Sequence, residues 1–208
     1  MSKDAAEGFD SGDPVLEPIR RRWSPRAFSE RPVDPKKLKS LFEAARWAAS
    51  SANEQPWRFI LAVKGEPDAF ATALLCLRER NRNWARYAPV LAFSLTKTVY
   101  SNSGGVNRYA WHDVGLAVAS LSIQAASVGL QVHQVGGFYP EKVRTTYQLP
   151  AEYEPVSGLV IGYPGSPHHL PPDLQEKERR ERTRKPLSEL VFCGSYGTPS
   201  DWEEETDR

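Results

Sequence analysis

The chain is poor in cysteine and histidine and has no long apolar run. Its two cysteines, Cys76 and Cys193, lie far apart and outside any metal-site spacing, and only four histidines are present. His168 and His169 are adjacent, but consecutive residues rarely bind one ion without further ligands, so we expect no metal centre. No apolar stretch reaches the length of a signal peptide or a membrane span. We therefore expect a reduced, cytoplasmic protein.

Charge of either sign is not in excess, and several catalytic patterns are missing. The 27 basic and 26 acidic residues leave a net charge of +1, which does not indicate a nucleic-acid or membrane-surface partner. His112 and His133 have no identifiable partner at the spacing of a catalytic triad, which argues against hydrolysis. No Gly-x-Gly-x-x-Gly motif follows the first predicted strand, which argues against a Rossmann nicotinamide domain.

The length of the chain suits one domain or one protomer of an obligate oligomer, since 208 residues can bury a sizeable core. Residues 1–14 have no hydrophobic period, which predicts a flexible tail. We place the folded domain at residues 15–192 and a C-terminal tail at residues 193–208. Beyond His169 the chain is proline-rich and then heavily charged, and we expect this part to find little to pack against in its own subunit.

Hydrophobic periodicity predicts helices that alternate with strands. The clearest helix start is Asp34 as N-cap with Pro35 at the first helical position. The most apolar helix covers more than one face, which is typical of the core or of a dimer interface. Helices are predicted at about 15–22, 34–49, 67–80, 113–128 and 140–147, and strands at 59–63, 89–95, 130–135 and 156–163. This order indicates an α/β or α+β sandwich.

A first polar segment, Arg22-Trp23-Ser24-Pro25-Arg26, places two guanidinium groups and one hydroxyl within five residues. Guanidinium forks bind phosphate bidentately, so the segment favours a phosphorylated cofactor. The alternative is that Arg20–Arg22 belong only to a solvated basic face, which is the common role of a charge run.

A second polar segment, Ser50-Ser51-Ala52-Asn53-Glu54-Gln55-Pro56-Trp57, lies directly before an apolar predicted strand. Its hydroxyls and amides offer neutral donors and acceptors that could bind the polar edge of a ring. Asn53 and Gln55 could equally serve only as a helix C-cap and loop. The two roles are compatible.

These two segments belong to a longer ordered set of motifs. The others are Asn81-x-x-Trp84 before Ala88-Pro89, Asp113-x-Gly115, Gly129-Leu130, Gly136-Gly137-Phe138, Ile161-Gly162-Tyr163-Pro164 and Arg182-Thr183-Arg184-Lys185-Pro186. In this combination, residues 15–192 resemble the nitroreductase family of flavin-mononucleotide (FMN) enzymes. The resemblance implies an α+β fold with a mostly antiparallel central sheet flanked by helices. It also implies a homodimer with a domain-swapped C-terminal extension and FMN sites at the interface.

The resemblance also implies a set of cofactor-binding residues. Arg22 and Ser24 would grip the phosphate and ribityl chain with Arg182 and Arg184, and Arg26 would lie nearer the ring, where its charge could stabilise reduced flavin. The complete implied set is Arg22, Trp23, Ser24, Arg26, Ser50, Ser51, Asn53, Asn81, Gly136, Gly137, Arg182 and Arg184. Of these, Ser50, Ser51 and Asn53 would come from the second subunit and Asn81 would bond the pyrimidine edge. Gly136 and Gly137 would bring backbone N–H groups close to the ring.

The chain departs from the family pattern at several positions. Trp23 and Ala49 stand where many members carry other residues, although neither change removes a phosphate ligand. Gly136 replaces an acidic residue of some members. The segment 97–107 is short where larger members insert helices that roof the acceptor pocket. Candidates to line that pocket are Arg108, Tyr109 and Trp111.

The sequence therefore predicts an FMN-dependent oxidoreductase. NADH or NADPH would reduce the flavin, and nitroaromatics, quinones or a related small electrophile would reoxidise it in ping-pong fashion. Two alternatives stay open at this point. One is a specialised flavin chemistry on the same fold, such as dehalogenation, enoate reduction or flavin fragmentation, and the other is a flavin-binding or storage protein with little turnover.

Overall fold

The computed structural model describes residues 15–200, so the predicted tail at residues 1–14 and the end of the chain, residues 201–208, lie outside the described part. The described residues divide into two compact units. Residues 15–179 form the first and residues 180–200 the second.

A four-stranded antiparallel sheet is the centre of the first unit. Its strands are β1 (Trp57–Val63), β2 (Val90–Lys97), β3 (Gln131–Val135) and β4 (Tyr153–Gly162). They are ordered β1-β2-β4-β3, so β1 and β3 are the two edges. The predicted α+β class with an antiparallel sheet flanked by helices is confirmed.

Within residues 15–200, seven α-helices accompany the strands, and several begin where local chemistry favours it. Asp34 accepts a hydrogen bond from the amide of Lys36 at 2.8 Å and so caps the second helix, as predicted. The longest helix ends at Ser127, and Gly129, two residues further on, has a positive φ of 80° that suits glycine. The helices are α1 (Glu17–Arg21), α2 (Pro35–Arg46), α3 (Pro67–Cys76), α4 (Glu79–Ala85), α5 (Ala110–Ser127), α6 (Pro140–Thr146) and α7 (Pro172–Arg179). Short 3-10 turns occupy Ser51–Asn53, Pro167–His169 and Leu187–Glu189.

The sheet is buried on both faces because its central strands alternate between two cores. In β2, Leu91 and Phe93 point to one core, where residues of α3, α4, α6 and α7 pack. Val90 and Ala92 point to the other, where α2 and α5 pack. Side chains of a strand alternate between faces, so burial on both faces requires the nearly continuous apolar run seen in this strand.

The structure differs from the sequence prediction at two places. The single helix expected at 67–80 is divided, because Leu77 leaves helical geometry and forms a β-bridge with Phe138. The expectation that the chain beyond His169 has little to pack on is wrong for its first part, since Leu170 and Leu174 are buried in the core. None of the helices within residues 15–200 is long and apolar enough to cross a membrane.

Candidate functional site

The Arg22–Arg26 segment is held against the edge strand β3 by one buried glutamine. The amide of Trp23 donates to Oε1 of Gln131 at 3.1 Å, and Nε2 of Gln131 donates to the carbonyl of Arg21 at 3.2 Å. Gln131 is only 7% exposed, so both of its amide atoms bind backbone groups in a low-dielectric setting. The segment is therefore fixed to the sheet by its backbone, which leaves its side chains to face elsewhere.

A second anchor of this segment is a carboxylate of α7. Glu178 accepts hydrogen bonds from the amides of Arg26 (2.8 Å) and Ala27 (3.2 Å), and its side chain is 5% exposed. The guanidinium of Arg26 lies 3.9 Å from the same carboxylate. The charge of Arg26 is thus partly balanced within the protein, which weakens its predicted role as a free cation beside reduced flavin.

His133 in β3 is the third anchor. Its Nδ1 lies 2.7 Å from the carbonyl of Pro25, and its ring packs against Trp84 with 4.6 Å between centroids. Burial, with a smaller contribution from the charge of Arg26, lowers the pKa of His133 to about 4. The imidazole is therefore neutral at pH 7 and donates its Nδ1–H to Pro25.

A glycine platform, which we define as residues 76–81 together with residues 136–139, lies at the end of β3. Two donors meet at the carbonyl of Gly137: the amide of Arg78 at 3.0 Å and Nδ2 of Asn81 at 2.9 Å. The amide of Tyr139 donates to the carbonyl of Cys76. A Cβ built at Gly136 would meet nothing within 4 Å, so this glycine borders open space. The structure thus brings together three predicted site residues, Asn81, Gly136 and Gly137.

The two glycines of the platform are expected to respond differently to alanine. A Cβ at Gly137 would lie 2.2 Å from Nδ2 of Asn81, whereas a Cβ at Gly136 meets no atom. Gly137→Ala should displace Asn81 and lower the free energy of unfolding by at least about 1 kcal/mol, as overpacking does. Gly136→Ala should leave stability within about 0.5 kcal/mol of the wild type. Urea unfolding measures both, and equal effects of the two changes would contradict the geometry.

The Ser50–Gln55 loop is strained and firmly anchored. Ala52, Asn53 and Gln55 have φ values of 53°, 54° and 49°, in the left-handed region that alanine and glutamine rarely adopt. The amide of Ser51 donates to the buried carboxylate of Asp113 at 3.0 Å. Backbone strain of this kind persists only where the surroundings determine it, and it is concentrated at functional sites.

Further contacts hold the same loop on its other side. The hydroxyl of Ser50 accepts from the amide of Gln55 at 3.0 Å, and that of Ser51 lies 3.2 Å from the hydroxyl of Tyr100. Glu54 accepts from the amide of Ser101 at 2.7 Å. Hydrogen bonding to Ser101, from its side chain first and from its amide to a smaller extent, holds the pKa of Glu54 below its usual value. The side chain of Asn53 stays exposed.

The structure does not bring this loop to the Arg22–Arg26 segment within one copy. Ser51 is bonded near the start of α5 and Trp23 to Gln131 just beyond its end, and the 14 steps from Asp113 to Ser127 span about 20 Å of helix. The loop comes directly before edge strand β1, whereas Gly136 follows the opposite edge strand, β3. Three strand spacings, about 14 Å, separate these two edges. The two halves of the predicted site are therefore separate in a single chain.

The remaining predicted residues occupy other places. Arg108, Tyr109 and Trp111 are exposed at the start of α5, with Tyr109 at 57% and Trp111 at 49%. Arg182 and Arg184 belong to the second unit, where burial and the charge of Arg184 lower the pKa of Arg182. Their assignment to the cofactor site stays a prediction.

Two of the three residues that position the site, Gln131 and Glu178, were not predicted from the sequence, whereas Asp113 was noted only as part of the Asp113-x-Gly115 motif. Gln131, Glu178 and Asp113 each bind backbone amides of a site segment from a distant part of the chain. Gln131 gave the signal of a polar residue inside an apolar predicted strand, whereas Glu178 lies in a charged run that gave no signal. Within residues 15–200, no group of three or more His, Cys, Asp or Glu could hold a metal ion.

Comparison with known proteins supports the family that the sequence motifs predict. Residues 19–163 match the nitroreductase family. A crystal structure described as an FMN-containing oxidoreductase superposes with a TM-score of 0.87 at 30% identity, over 95% of this chain and 100% of that one.

Two named relatives are more distant. The 5,6-dimethylbenzimidazole synthase of Rhodospirillum rubrum is 27% identical over 168 residues, which cover 70% of this chain and 80% of that protein. The FMN reductase [NAD(P)H] of Bacillus subtilis is 26% identical over 194 residues, which cover 85% and 77%. The resemblance predicted from the motifs is confirmed, and this chain belongs to the nitroreductase family.

Proposed function

We propose that this protein is an FMN-dependent oxidoreductase that uses NADH or NADPH to reduce nitroaromatics, quinones or a related small electrophilic acceptor in a ping-pong cycle. The observation that carries the proposal is the juxtaposition of a rigid Arg/Ser segment and an open glycine platform along one edge strand. The Bacillus subtilis relative named as an FMN reductase [NAD(P)H] supports the same donor and cofactor.

The residues present fit FMN. His133, bonded to the Arg22–Arg26 segment, is three residues from Gly136, so the segment and the platform lie about 10 Å apart along the strand. That spacing suits a ligand with a phosphate at one end and a planar ring at the other. Because a Cβ at Gly136 would meet no atom, its backbone is free to approach a ring closely.

In this proposal each residue has a chemical role. Arg22 and Ser24 bind the phosphate, and their positions are fixed by Gln131 and Glu178 through the backbone. Asn81 donates its amide to Gly137, which leaves its carboxamide oxygen to accept from the N–H of the pyrimidine edge. Held by Arg22, Ser24 and Asn81, FMN would supply the hydride-transfer and electron-transfer chemistry between the nicotinamide and the acceptor.

A homodimer completes the site in this proposal. The strained Ser50–Gln55 loop lies too far from the Arg22–Arg26 segment of its own chain, which we call the phosphate segment, for both to bind one cofactor molecule. A second copy can supply that loop, and the exposed face of α5 provides an apolar surface for the contact. Trp111 is 49% exposed and Leu116 37%, and a Cβ at Gly115 between them would meet no atom.

The visible spectrum of the purified protein under anaerobic conditions tests the proposed function. We expect a flavin spectrum that bleaches when NADH or NADPH is added and returns when an acceptor follows. A flavin spectrum that stays oxidised with both donors would favour the storage alternative. Failure to take up added FMN would contradict the cofactor assignment.

Replacing Arg22 should weaken cofactor binding. Arg22→Ala removes one guanidinium from the phosphate site, and we expect the dissociation constant for FMN to rise at least about tenfold, the effect of one charge-assisted hydrogen bond. Arg31→Ala is the matched control, because its guanidinium lies over the ring of Tyr163 instead. Fluorescence titration with FMN measures both variants, and equal affinities would count against the phosphate assignment.

A further inference from the structure

The side chain of Arg78 lies beside Gly137, the chain neighbour of the open Gly136, and Arg78 was not among the predicted site residues. Its Cδ is 4.0 Å from the position that a Cβ at Gly137 would occupy. Its guanidinium carbon lies 5.9 Å from the ring centroid of Tyr139, which is 46% exposed. Arg78 and Tyr139 therefore lie next to each other on the platform, with Arg78 beside Gly137 and one residue along the chain from the open Gly136.

The guanidinium of Arg78 has no carboxylate partner among the ion pairs of residues 15–200, unlike that of Arg26 or Arg144. Arg26 and Arg144 each lie within 4 Å of a glutamate. Its side chain is exposed. An uncompensated guanidinium at the rim of a reaction site attracts anions and binds carboxylate or phosphate with its fork.

We propose that Arg78, supported by the ring of Tyr139, binds the anionic group of the small molecule that reacts at the face bordered by Gly136. Two sources share this chemistry, the carboxylate of an aromatic acceptor and the 2′-phosphate of NADPH. The inference rests on the proposed function, and it names Arg78 as a residue that determines specificity.

The backbone of Arg78 makes its hydrogen bonds to the fold: its amide donates to the carbonyl of Gly137, and its carbonyl accepts from the amides of Asn81 and Arg82. Changing the side chain therefore leaves these bonds in place. The test compares the wild type with Arg78→Gln, and with Arg86→Gln as a control on an exposed arginine outside the platform, which lies over the ring of Tyr87. Benzoate binding to the FMN-loaded protein is measured by calorimetry. Turnover is measured with 4-nitrobenzoate against neutral 4-nitrobenzyl alcohol, and with NADPH against NADH.

We expect Arg78→Gln to raise the dissociation constant of benzoate, and to lower kcat/KM for 4-nitrobenzoate, by about tenfold each, the effect of one charge-assisted hydrogen bond. Turnover of the neutral alcohol with NADH should be unchanged, as should every value of Arg86→Gln. A loss confined to NADPH relative to NADH would instead identify the phosphate as the anion.

Two results would overturn the inference. One is an Arg78→Gln protein that binds benzoate as tightly as the wild type and keeps the wild-type preference between 4-nitrobenzoate and 4-nitrobenzyl alcohol and between NADPH and NADH. The other is an equal loss for charged and neutral compounds, which would assign Arg78 a structural role. Absence of turnover with every acceptor in the wild type would contradict the proposed function instead, while benzoate binding would still report on Arg78.

Discussion

Replacing Glu178 with alanine is expected to lower the free energy of unfolding by about 3–5 kcal/mol, the typical cost of removing one partner of a buried charged contact. The carboxylate is 5% exposed and accepts from the amides of Arg26 and Ala27. Without it both amides lose their acceptor, and the guanidinium of Arg26 loses its counter-charge. The loss of order should extend along the phosphate segment and weaken FMN binding as well.

Two companion variants separate charge from packing at this position. Glu178→Gln keeps one oxygen acceptor and removes the charge, so its loss of stability should be smaller than that of alanine. Asp173→Ala removes a carboxylate of the same helix that is 63% exposed, and such surface pairs contribute at most about 1 kcal/mol. Urea unfolding at pH 7 measures all three. A Glu178→Ala protein as stable as Asp173→Ala would contradict the anchoring role.

The second large expected effect is a loss of folding stability at acidic pH. Burial lowers the pKa of His133 to about 4 in the folded chain, against about 6.5 when unfolded. Between these values the unfolded chain binds one more proton than the folded chain, so stability falls as pH falls from 6.5 through 4. The difference of about 2.5 pKa units corresponds to a loss of about 3 kcal/mol, which is absent above pH 6.5.

His133→Phe should remove this dependence, because phenylalanine keeps a ring against Trp84 but does not titrate. At pH 7 the variant should be about 1 kcal/mol less stable, since the bond to Pro25 is lost. At pH 4 the order should reverse. Unfolding by urea at pH 7, 5.5 and 4 measures the difference, with exposed His168→Ala as the control. Parallel pH profiles of His133→Phe and the wild type would exclude His133 as the acid-sensitive group.

The acid effect should reach the cofactor site. Protonation would place a positive charge on His133, which is bonded to Pro25, and this charge would repel the guanidinium of Arg26. The same repulsion already contributes to the low pKa of His133. We infer that, as the pH falls, the Arg22–Arg26 segment becomes mobile before the sheet unfolds, because the segment is anchored by Gln131, His133 and Glu178.

Local chemistry explains which parts of the fold could be predicted from sequence. Asp34 and Pro35 begin a helix, Gly129 follows the end of one, and the apolar runs of β2 and β4 indicate buried strands, because each signal acts over a few residues. The break at Leu77 was not predictable in this way, since it depends on a bridge to Phe138, far along the chain. The burial of Leu174 likewise depends on the core that α7 meets.

The same distinction applies to the site. Arg22, Ser24, Asn81 and Gly136 were predicted because their motifs are ordered along the chain. Glu178 was not predicted, because its role depends on a contact between α7 and Arg26, which is 152 positions away in the sequence. The strain at Ala52 also could not be read from the sequence, since only tertiary contacts hold alanine in the left-handed region.

The measurement that tests the account most directly is cofactor stoichiometry in mixed dimers. Arg22→Ala impairs the phosphate segment of one copy. Asn53→Asp, which tolerates the positive φ of this position, places a negative charge in the loop of the other. If each site takes its segment from one copy and its loop from the other, each variant alone binds FMN weakly. A mixed dimer then regains one intact site, so FMN uptake returns to about half of the wild-type value. Mixed dimers that bind no more FMN than either variant alone would show that a single chain forms the site, and would contradict the account.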